Sequence, residues 1–135
     1  MIRESIVLST LVLTAGASAQ ERFYSNDFQQ CSKVAASLEA TASCINVEIV
    51  VQKKRLNAAY IKLTKRLNSK DKAYFDEVQR KWVSWRDDNY NFLSEHVQGE
   101  FDTVRATSLD FMLKSIFDRA SEVEMILDEI GENSL

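Results

Sequence analysis

A chain of 135 residues with 45% hydrophobic composition can bury one core and is too short for two ordinary domains. A net charge of -3 argues against a phosphate-binding domain, since such domains are usually basic overall. Proline is absent and only three glycines occur, so almost nothing interrupts helix.

The N-terminus reads as an export signal. Arg3 precedes a short apolar run over residues 6–15, and Ala17-Ser18-Ala19 places small residues where a signal peptidase reads. Residues 1–19 are therefore expected to be a signal peptide, with residues 20–135 as the mature domain in the periplasm or outside the cell. No cysteine follows the small-residue site to carry a lipid, and no later stretch is apolar enough to span a bilayer, so no stable membrane insertion is expected. In an oxidising compartment Cys31 and Cys44, the only two cysteines, are expected to pair. Neither a metal nor a cofactor is expected: the single histidine, His96, lies far along the chain from both cysteines.

A first helix fits about Asp27 to Glu39, with Ser25, Asn26 or Asp27 as N-cap and Phe28, Cys31, Val34, Ala35 and Leu38 as its apolar stripe. A second, capped by Thr41 or Ser43, runs to about Leu67 on Ile45, Ile49, Leu56, Ala59, Tyr60, Leu63 and Leu67. Asn68 and Ser69 form the turn into a third helix reaching about Val97. Its two tryptophans, Trp82 and Trp85, with Phe75, Val78, Asn89 and Phe92, are expected to make it the heaviest core contributor. Gly99 marks the next turn. A fourth helix from about Asp102 to Ile130 carries Leu109, Met112, Ile116, Ala120, Val123, Leu127 and Ile130, closed by Gly131, and residues 132–135 should fray. Short links between long amphipathic helices predict an all-α, antiparallel up-and-down bundle of about four helices with one N-terminal disulfide.

Charge is unevenly divided. Residues 44–67 carry a local net of +5, and residues 100–132 a local net of -6. Two solvated helices of opposite sign favour lying side by side, and the functional alternative is a pair of oppositely charged patches. No residues form a recognisable nucleophile motif or phosphate loop, His96 has no evident partner, and Asp87-Asp88 and Asp128-Glu129 are adjacent on a helix and do not converge. The chain is not expected to be an enzyme.

Two longer motifs stand out. Leu56-Asn57-Ala58-Ala59-Tyr60 with Leu63 resembles an LNxxYxxL segment, and Gln79 through Asp87, containing Trp82 and Arg86, resembles a QRxWxxxRD segment. With Arg119 and Val123 as a closing RxxxL, these resemble, in order, the small secreted bacterial proteins with a lysozyme-inhibitor LprI-type N-terminal domain. On helical spacing, Gln79, Trp82 and Arg86 share one face, as do Leu56, Tyr60 and Leu63, and the two faces are expected to form a seam. Asn57 could bond across that seam. Members of the family commonly carry a second cysteine pair, whose positions here fall at Tyr90 and near Phe111, so packing would replace that crosslink.

The resemblance implies an exported, non-enzymatic binding protein that inhibits lysozyme or a related peptidoglycan hydrolase. Its partner would be a protein and no nucleic acid, and the acidic residues Glu122, Glu124, Asp128 and Glu129 are candidates for contacting a basic hydrolase. The alternative is a structural, assembly or immunity protein of the envelope, docking a secretion-system component or a toxin.

Overall fold

A computed structural model describes residues 22–131. The expected signal peptide, residues 1–19, and the C-terminal residues 132–135 expected to fray lie outside the described residues. Within them the chain is all-helical: α1 (Asn26–Val34), α2 (Leu38–Thr64), α3 (Ser69–His96) and α4 (Phe101–Ile130). Capping explains most of the boundaries. The Ser25 hydroxyl accepts from the Phe28 amide, Ser37 from Ala40, and Asn68 from Asp71, each satisfying an N-terminal donor the helix leaves open. Gly131, with φ of +33°, closes α4 by donating its amide to the Leu127 carbonyl.

The first turn differs from expectation. α1 ends at Val34 rather than Glu39, and α2 starts at Leu38 rather than after Thr41 or Ser43. Ala35 is extended, and Ser37 supplies the side-chain cap, so the chain reverses earlier than the apolar stripe alone suggested. Cys31 on α1 and Cys44 in the second turn of α2 are disulfide-bonded, with Cα atoms 5.8 Å apart.

The core lies between α2 and α4. Ile45, Ile49, Leu56, Ala59 and Leu63 meet Leu109, Leu113, Ile116, Ala120 and Val123, all essentially withdrawn from water. Arg55 sits over the Phe117 ring and reaches on to Ser121 and Glu124, while Glu48, earlier on α2, bonds Ser25, whose neighbour Tyr24 packs its ring on Phe117. α3 runs antiparallel to α4, since Gln79 meets Arg119 and Trp85 meets Phe111, and it turns back from α2 at Tyr60 and Phe75, so α2 and α4 run parallel.

The expectation for α3 is corrected by the structure. None of its residues is buried; Trp85 is 52% exposed and Phe92 60%. α3 lies mainly along α4, and it meets α2 close to their shared turn, where Tyr60 stacks on Phe75 and donates its hydroxyl to Asp76. With α2 and α4 already filling each other's apolar faces, the tryptophans of α3 cover the flank of that pair instead of entering it. No described helix is long and apolar enough to cross a membrane.

Candidate functional site

The family-like motif residues gather on α4 more than on each other. Leu56 and Leu63 are core positions facing α4, Asn57 is exposed, and Tyr60 alone bridges to α3. Gln79 accepts a hydrogen bond at 3.0 Å from Nε of Arg119. The Arg119 guanidinium lies 5.7 Å from the Phe75 ring and 5.8 Å from the Trp82 ring, and Arg86 lies 5.0 Å from Trp82. Trp82 is thus half-buried between two cations, an arrangement in which the negative ring face attracts each guanidinium. Arg86 is further held by Asp87, its neighbour in the motif. Arg119 is therefore the centre of the seam, because its planar fork reaches α3 from a position one face around from the α2 contacts.

Beside this seam a groove opens between α3 and α4, with a volume of about 520 Å³. Trp82, Trp85 and Phe111 form its apolar wall, and Ser115, Lys114, Asp118, Arg119 and Glu122 its polar one. Lys114 pairs with Asp118 at 2.5 Å, which raises the lysine's pKa through that hydrogen bond, and Arg119 Nη1 donates to Glu122 at 2.9 Å. The Arg119 side chain is nine-tenths buried, yet its Nη2 has no hydrogen-bond partner among the described residues. A buried guanidinium nitrogen without an acceptor is costly, and this one is withdrawn from the solvent that fills the groove. Of the two positions expected to hold the second cysteine pair, Phe111 packs on Trp85 with ring centroids 5.9 Å apart, and Tyr90 packs against the main core. Aromatic contact stands where the crosslink would be.

A second polar cluster fastens the segment ahead of α1. Glu48 is 1% exposed, and its carboxylate accepts from the Ser25 amide at 2.9 Å, the Ser25 hydroxyl at 2.5 Å and Gln52 at 2.7 Å. Gln52 in turn accepts from Arg55, which donates two bonds of 2.7 Å to Glu124. Arg22 adds a third donor to Glu124 and one to Asp128. Hydrogen bonding from Arg55, more than from Arg22, holds the Glu124 carboxyl below its ordinary pKa.

This sorts the four acids named as partner contacts. Glu124 is occupied by two arginines of its own chain, Asp128 is tied to Arg22 but largely open, Glu122 is bound to Arg119, and Glu129 is exposed and makes no ion pair among the described residues. The Glu48 network was not visible in the sequence, where the apolar stripe of the second helix passes from Ile49 to Leu56 with Gln52 between them. A polar pair at a helical spacing of four, Glu48 and Gln52, inside that stripe was the available signal. Trp85 was read as core, and its partner Phe111 only as a substituted cysteine position. The described residues contain no group of His, Cys, Asp and Glu able to hold a metal ion.

Comparison with curated proteins and with solved structures gave no match for this chain. A family model described as lysozyme inhibitor LprI matches residues 31–123, a span that begins at the first disulfide cysteine, includes the Trp82 and Arg119 seam and ends at the last buried residue of α4. The chain belongs to the lysozyme inhibitor LprI family.

Proposed function

We propose that this protein is an exported, non-enzymatic binding protein that inhibits lysozyme or a related peptidoglycan hydrolase from the periplasm or outside the cell. The observation that carries the reading is the family match over residues 31–123. The export signal read in residues 1–19 and the disulfide between Cys31 and Cys44 support the compartment, because such bonds persist where the environment is oxidising. The acidic end of α4 supports a basic partner: Glu129 and the open side of Asp128 lie on its last turns, and charges at an interface rim steer encounter. Glu124 contributes to the fold rather than to that rim, since Arg55 and Arg22 already consume its oxygens.

The test is lysis of peptidoglycan by a panel of lysozymes with and without the purified protein. Inhibition at micromolar concentration is expected. No inhibition of any lysozyme would remove this reading and leave docking to an envelope component as the better one.

A further inference from the structure

The groove between α3 and α4 has chemistry that neither the fold nor hydrolase inhibition requires. Its wall offers an indole, Trp85, that is 52% exposed, on a helix that could have hidden it. Arg119, nine-tenths buried, also lines it and is paired through Nη1 with Glu122. Its charges balance, Lys114 and Arg119 against Asp118 and Glu122, so it favours neither a strong anion nor a strong cation. A volume of about 520 Å³ falls within the range of small-ligand sites.

We propose that this groove binds a neutral pyranose oligosaccharide. The axial C–H edge of a pyranose carries slight positive charge and packs on the negative face of Trp85, as other polarised edges do on aromatic rings. Sugar hydroxyls donate to the carboxylates of Asp118 and Glu122, each of which is bonded through only one oxygen to a cation of its own chain. A peptide segment fits less well. It would bring few donors for two carboxylates and no flat non-aromatic face for the indole. The assignment does not rest on the inhibitor reading.

Isothermal titration calorimetry of the purified protein with chitotriose and with cellotriose tests it. At least one should give saturable binding. Trp85→Ala should weaken it by about tenfold or more, while Trp85→Phe, which keeps a ring face, should retain most of it. Trp85 packs on Phe111, so Trp85→Ala should lower the melting temperature by about a few degrees and Trp85→Phe by less, and a thermal melt shows that each variant is folded where its sugar binding is read. Absence of saturable binding for both sugars at millimolar concentration overturns the proposal, as does binding that Trp85→Ala leaves unchanged. Loss of hydrolase inhibition in Trp85→Ala without any sugar binding also overturns it, and would make the groove a protein contact. Failure of lysozyme inhibition with sugar binding intact would leave the groove assigned and remove only the inhibitor reading.

Discussion

Trp82 lies within cation–π reach of two arginines and packs against the core, so truncation removes both packing and cation attraction. Trp82→Ala should destabilise the protein by about 3 kcal/mol, the low end for a large aromatic because the ring is only half-buried; urea denaturation measures it. Glu48 is a different case, a carboxylate enclosed with donors from Ser25 and Gln52 and with no ion pair among the described residues. Glu48→Ala strands the Ser25 amide, releases the segment ahead of α1, and should cost on the order of 3 kcal/mol by the same measurement. Glu124 gives the pH dependence. Its folded pKa lies below the unfolded value, so its stabilisation is complete above the ordinary glutamate range and is lost as pH falls through the folded value. Stability of the wild type should therefore drop more steeply than that of Glu124→Gln as pH is lowered from about 6 toward 3. Parallel curves for the two proteins would show that the Arg55 and Arg22 bonds do not hold the carboxylate in solution.

Helices were the most legible level of the sequence and their partners the least. Cap residues and the absence of proline placed α3 and α4 within a residue or two of their observed ends, whereas the stripe through Val34, Ala35 and Leu38 ran past a reversal at Ala35 that only Ser37 signalled. Periodicity says which face of a helix is apolar and not which neighbour covers it, and for this reason α3, richest in aromatic rings, was expected in the core and lies on its flank. Its role is thermodynamic as well as geometric. With no buried residue and with contacts concentrated on α4, α3 should open more readily than the helices it covers, so its amides beyond Trp85 should exchange with deuterium before those of residues 109–123 on α4. At the other end of the chain the disulfide closes a short loop, and replacing both Cys31 and Cys44 by Ser should lower stability by about 3 kcal/mol while leaving α2 and α4 paired. Circular dichroism through a denaturant titration would read both parts of that outcome.

At the scale of the molecule, the opposite charges of α2 and α4 prove to be partly structural, because Arg55 and Glu124 bond directly across the pair. What the fold leaves over is the acid at the end of α4. Reversing Asp128 and Glu129 to Lys should slow association with a basic lysozyme and flatten its salt dependence with little change in melting temperature, as surface plasmon resonance at two ionic strengths would show. The candidate groove could not be seen in the sequence at all, since it depends on α3 lying against one flank of α4, and the residues that line it are spread from Trp82 to Glu122. The parallel pairing of the second and last helices carries one more consequence, for the order in which the chain can fold. Arg55 finds Glu124 only 69 positions later, whereas Cys31 and Cys44 are separated by 13. Loop closure favours the near contact first, so the crosslink and the hairpin of α2 with α3 can form while the hydrophobic face of α2 still has no partner. A chain emerging from its N-terminus stays open along that face until Val123 has appeared, which keeps it threadable to the end and makes α4 the segment whose arrival closes the protein.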